Sequence, residues 1–173
     1  RRKSGKEHSL IFFVLGSIIS VVAYQSLMPL LAAAIVFALG MTLLRSSALG
    51  GYFERAMFVR LFSVNWFMAG IAAIYVSYLN DPSQLYADAG NFFSMASGDR
   101  FKEEGLQQLS QRSEGAGAIV IWRLFYDAWA FLGLEKDRYI GVLVNIVIVA
   151  YTGVIAVKMA RLNYGNDTSR LNR

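Results

Sequence analysis

The chain has no cysteine, two prolines and one histidine among its 173 residues. Without cysteine there is no disulfide framework and no thiolate-bound zinc or iron–sulfur centre. The lone His8 leaves no histidine cluster for a metal. Charge is scarce too. Only 17% of residues are Asp, Glu, Lys or Arg, where a soluble domain carries about a quarter. Also missing are a phosphate-cradling glycine loop followed by lysine, a nucleophile-elbow serine and paired histidines on a helix. ATP-driven and conventional hydrolytic chemistry are disfavoured accordingly.

What is there instead is apolar: 55% hydrophobic and 14% aromatic, a composition that excludes disorder. Ser9 to Leu44 contains no charge for 36 residues. A single helix of that length would run about 54 Å, against a hydrocarbon core of about 30 Å. The run must therefore fold back, and polar Tyr24-Gln25-Ser26 marks the turn, with Pro29 opening the second helix. Leu61 to Asn80 is uncharged for 20 residues and Tyr139 to Val157 for 19. Each fits one crossing. The expected fold is an all-α membrane protein with four transmembrane helices, at about 9–25, 27–44, 61–80 and 139–160. A signal peptide competes for the first segment, but no small-residue cleavage site precedes Gln25 and the apolar character resumes at once. The start at Arg1 without methionine fits a piece of a longer protein.

The formal charge of +5 is topological rather than a nucleic-acid footprint. Residues 81–138 hold six basic and nine acidic side chains, a net of −3, and the remainder carries +8. Basic residues gather before the first helix (Arg1, Arg2, Lys3, Lys6), in the 45–60 loop (Arg45, Arg55, Arg60) and in the tail (Lys158, Arg161, Arg170, Arg173). The positive-inside rule places these regions and both termini in the cytoplasm and loop 81–138 outside. The first six residues could also attract anionic lipid. An integral protein of a bacterial inner membrane is the expectation, with three crossings in 1–80, an extracytoplasmic loop at 81–138, and the fourth crossing and cytoplasmic tail in 139–173.

Loop 81–138 reads as a structured outer loop with two amphipathic or juxtamembrane helices, about 82–97 and 117–133. Asp81-Pro82-Ser83-Gln84 is a helix start, and Leu85, Ala89, Phe92 and Ala96 form one apolar face. Residues 99–115 are a polar link. The second helix is aromatic, with Arg123 and Asp127 four residues apart on one face. A lipid-facing crossing would leave both charges in hydrocarbon, so it reads as interfacial, with Trp122, Tyr126 and Trp129 at headgroup level. The charged pair reads most simply as a structural ion pair. Within the crossings Asn65 and Asn145 read as interhelical hydrogen-bond glue, and Ala34/Ala38 and Ala69/Ala73 as close-packing positions.

The segment Y-A-D-A-G-N-F-F-S-M-A, residues 86–96, resembles the first extracytoplasmic loop of bacterial polytopic glycan-assembly enzymes, the GT-C glycosyltransferases and repeat-unit polymerases. The matching positions are Asp88, Phe92 and Ala96. The resemblance implies the N-terminal part of an enzyme that transfers or polymerises polyprenyl-linked sugars. Asp88 would be the base for an acceptor hydroxyl. Arg100, Arg112 and Arg123 would neutralise the leaving pyrophosphate, and Trp122 and Trp129 would stack sugar rings. No metal centre or cofactor is assigned, although Asp81, Asp88 and Asp99 are carboxylates that a divalent cation could use. Membrane lipid, a polyprenyl-linked glycan and other membrane subunits are the expected partners, and nucleic acid is not. A noncatalytic subunit that docks a partner through the outer loop is the rival reading. A transporter lined by Asn65, Asn145, Tyr75, Tyr78 and Tyr151 is a third.

Overall fold

The computed structural model describes residues 4–47, 50–78, 96–98, 116–134 and 136–164. Five helices form, α1 (Ser4–Tyr24), α2 (Met28–Ser46), α3 (Tyr52–Tyr78), α4 (Ala116–Phe131) and α5 (Arg138–Tyr164), with no strand among the described residues. Four of them, α1, α2, α3 and α5, are long and apolar enough to cross a membrane. Their outward faces carry Leu10, Ile18, Leu43 and Met68, each more than half exposed. A surface of that kind is stable against lipid rather than water. The expected helix at 82–97 lies outside the described residues except for Ala96 and Ser97, which are helical.

Local chemistry sets the helix ends. The first hairpin turns at Gln25, which takes a left-handed φ of 51°. The Ser26 hydroxyl then accepts the Met28 amide at 3.1 Å, and buried Pro29 occupies the first turn of α2, where its missing N–H costs nothing. The crossings overhang their uncharged runs. Helix α3 starts at Tyr52, so Glu54, Arg55 and Arg60 lie within it, and α5 continues past Lys158 and Arg161. The overhang is stabilised by pairing. Glu54 is buried, and its Oε1 lies 3.4 Å from Arg161 Nη1. The Arg161 guanidinium also stands 5.0 Å from the centre of the Phe53 ring.

Helices α1 and α3 run parallel with residues 54 apart in register, shown at one end by the Ser77 hydroxyl donating to Ala23 O. Their approach is backbone to backbone. A Cβ on Gly16 would lie 2.8 Å from both N and Cα of Phe67, and one on Gly70 would lie 3.0 Å from Gly16 O. Buried Ser17 completes the seam. Trp66 Nε1 donates to its Oγ at 3.1 Å, and its own hydroxyl donates to Phe13 O at 2.8 Å. Helices α2 and α5 run antiparallel to this pair. Phe13, Phe37, Phe58, Phe62 and Tyr151 form one ring cluster to which all four crossings contribute, with centroids 5.2–6.4 Å apart. Gly40 gives that cluster room: Phe58 packs on it, and the Tyr151 hydroxyl donates to its carbonyl at 2.6 Å.

Two expectations are corrected here. Asn65 is not interhelical glue, because its amide donates back along its own helix to Leu61 O at 2.7 Å. Ala34 and Ala38 face outward, and the close packing of α2 uses Ala32, Ala33 and Gly40 instead. Asn145 is also exposed rather than set between the described helices.

Alanine at position 16 should destabilise the bundle. It gains about 1 kcal/mol of helix propensity, but the added methyl meets main-chain atoms of Phe67 that cannot rotate away. A net loss of roughly 1–2 kcal/mol is expected for Gly16→Ala. Unfolding in mixed micelles against the parent measures it, and an unchanged midpoint would refute the seam.

Candidate functional site

Helix α4 spans about 24 Å, short of the hydrocarbon thickness, and presents three faces. Ile119, Trp122, Tyr126 and Trp129 pack inward. Ile121, Leu124, Phe125 and Phe131 form an exposed apolar face. Arg123 and Asp127 lie on the third. Gly133 ends the helix with φ 75°. Its N–H bonds Ala130 O at 2.9 Å and the Leu134 N–H bonds Trp129 O at 3.2 Å, a Schellman closure. The chain then reverses into α5, and Asp137 accepts the Arg138 amide at the new helix start.

The reversal carries Lys136 back over α4, where Nζ meets Asp127 Oδ1 at 2.8 Å. Arg123 Nε meets Oδ2 of the same carboxylate at 2.8 Å. Lys136 first, and Arg123 after it, hold the Asp127 carboxyl below its usual range. Arg123 Nη1 also donates to Ala96 O at 3.2 Å and Gly98 O at 3.0 Å. One guanidinium thus fastens residues 96–98 to α4 while a carboxylate holds it in place.

Beneath this clasp, Tyr126 is buried, and burial pushes its hydroxyl up to about 12, opposed by the neighbouring backbone of Gly141. Glycine leaves space there. A Cβ at 141 would lie 3.0 Å from Tyr126 Oη and 3.4 Å from the Trp122 ring. Trp129 is also buried, and its Nε1 has no hydrogen-bond partner among the described residues. Trp122 is half-buried.

No family model, curated protein or solved structure matches this chain. The assignment therefore rests on the site alone. Of the residues singled out from the sequence, the structure brings Trp122, Arg123 and Trp129 together on α4. Asp88, Arg100 and Arg112 lie outside the described residues, as do Asp81 and Asp99. Among the described residues no three His, Asp or Glu side chains converge as metal ligands. The Arg123–Asp127 pair forms as its spacing implies. Lys136 is the participant the sequence did not single out, and Tyr126, expected at headgroup level, is buried instead. Gly133 was the available signal for Lys136, since a left-handed helix stop returns the next residues across the helix just ended.

The clasp makes α4 pH-dependent at both extremes. The Asp127 carboxyl is lowered in the fold, so its contribution is present above the ordinary carboxylate pKa and disappears as pH falls through the lowered value. Tyr126 is raised, so its contribution is intact below about pH 10 and lost as pH rises toward about 12. Amide exchange in α4 should accelerate on both sides. Asp127→Asn should flatten the acid limb alone, and an unchanged acid limb would show that the clasp does not hold the helix.

Proposed function

We propose that this protein is a membrane component of bacterial envelope polysaccharide assembly, transferring or polymerising polyprenyl-linked sugars at the outer face of the inner membrane. The observation that carries the reading is the Arg123 clasp on Ala96 and Gly98. Ala96 is the last residue of the Y-A-D-A-G-N-F-F-S-M-A segment. The clasp ties the end of that segment to an aromatic helix that carries one arginine, at the Tyr24/Arg138 end of four apolar helices. In this reading both termini and the α2–α3 connection face the cytoplasm, where the basic residues cluster, and α4 lies outside.

A polyprenyl-linked sugar presents its pyrophosphate at headgroup level, close to such a helix. Asp88 takes the proton from an acceptor hydroxyl as its oxygen bonds the anomeric carbon, and the bond to the lipid pyrophosphate breaks. Arg100 and Arg112 neutralise the leaving group. Arg123 contributes charge at the edge, since its donors already serve Asp127 and two carbonyls. Trp122, half-buried, offers a ring edge for a sugar.

The burial of Tyr126 and Trp129 and the structural use of Arg123 favour a second reading, a noncatalytic membrane subunit whose outer segment docks a partner. Asp88→Asn separates the two. In membrane vesicles holding the full-length protein, transfer from a polyprenyl-linked donor should fall by about a hundredfold or more, with membrane abundance unchanged. Full activity in Asp88→Asn alongside loss in Trp122→Ala would support the subunit instead.

A further inference from the structure

Helix α5 has a second face that the bundle does not use. Its buried side packs on α2, α3 and α4 through Leu143, Val144, Ala150 and Val154. On the opposite side Asn145, Ile148, Thr152, Ile155, Met159 and Leu162 are all exposed. Their spacing alternates three and four, a heptad seam in which Asn145, Thr152 and Met159 hold one position and Ile148, Ile155 and Leu162 the other. Within the uncharged run 139–157 the seam covers Asn145 to Ile155, about 16 Å along the helix, and Met159 and Leu162 continue it past Lys158.

Lipid alone is a poor neighbour for this face. Asn145 lies about 5 Å along the helix from the midpoint of the uncharged run 139–157. Among the described residues its amide makes no hydrogen bond, unlike that of Asn65, which reaches back to Leu61 O. An unpaired amide at that depth is costly in hydrocarbon.

We infer that this face of α5 is the contact between two copies of the chain lying side by side in the membrane. Two features select a second copy over another helix. Copies inserted with the same orientation place Asn145 at the same depth in each, whereas an unrelated helix would need its own polar group at that level. An amide is also complementary to itself, since it donates through its nitrogen and accepts through its oxygen, so two facing Asn145 side chains exchange two hydrogen bonds across a twofold axis. In a parallel heptad pair like positions face like, so Thr152 meets its counterpart one heptad further on. A period of 3.5 residues gives a shallow left-handed crossing.

These 173 residues contain no cysteine, so each introduced thiol is the only one among them. Asn145→Cys and Thr152→Cys are made singly in the full-length protein and oxidised with copper phenanthroline in native membranes, with Ile18→Cys on the outward face of α1 as control. Disulfide-linked homodimers are expected at 145 and 152, where Cα atoms must come within about 7 Å, and not at 18. Independently, single-molecule photobleaching of the fluorescently labelled protein in lipid bilayers should show two-step spots. Asn145→Leu should weaken the dimer about three- to fifteenfold. Single-step spots throughout, or cross-linking of position 145 only to a different polypeptide, would overturn the proposal.

Discussion

Helix α3 touches every other crossing, and its place is set by how closely its backbone can approach α1. Within a hydrocarbon phase, apolar side chains gain nothing by leaving lipid for protein, so helices associate through fit and through hydrogen bonds that lipid cannot supply. Gly16 and Gly70 provide the fit by bringing main chains together. Ser17 and Trp66 provide the hydrogen bond. Once this parallel pair is fixed, Phe58 and Phe62 on α3 project into the remaining space, and α2 and α5 close around them with Gly40 and Tyr151.

The two ends of the bundle handle charge in different ways. At the Glu54/Arg161 end a buried carboxylate pairs, among the described residues, with one cation that also leans on Phe53. Such a pair offers little net stability, because desolvation offsets its attraction, yet it penalises any packing that separates α3 from α5. At the Tyr24/Arg138 end the charges are more exposed and shared. Asp127 is held from two sides, and Arg123 divides itself between that carboxylate and two backbone carbonyls. The first arrangement fixes crossings to each other. The second fixes a short helix and residues 96–98 to the crossings.

The crossings were legible because charge is excluded from hydrocarbon, so their uncharged runs stand out without knowledge of their neighbours. Their ends were less legible. Tyr52 to Arg60 is helical although charged, and buried Glu54 is paired with Arg161, which is 107 residues distant. The two mid-helix asparagines show the same limit. Nothing local distinguishes Asn65, which bonds its own helix, from Asn145, which turns outward. The difference is rotational position, which packing decides. At the site, the four-residue spacing of Arg123 and Asp127 was readable, whereas Lys136 joined them through the path of a turn. Asp88 was singled out by resemblance alone, and it lies beyond the described residues.

The pairing of α1 with α3 also bears on how the chain is assembled. Its closest helix contact joins the first crossing to the third, skipping the second, so the opening hairpin enters the bilayer before its principal partner has been synthesised. During that interval the Gly16 face has only lipid against it. Ser17 is prepared for the wait. Its hydroxyl proton is already engaged by Phe13 O within α1, and the oxygen keeps a lone pair free for the indole of Trp66. Ser17 can thus wait in lipid with its donor satisfied and still accept a hydrogen bond when the third crossing arrives.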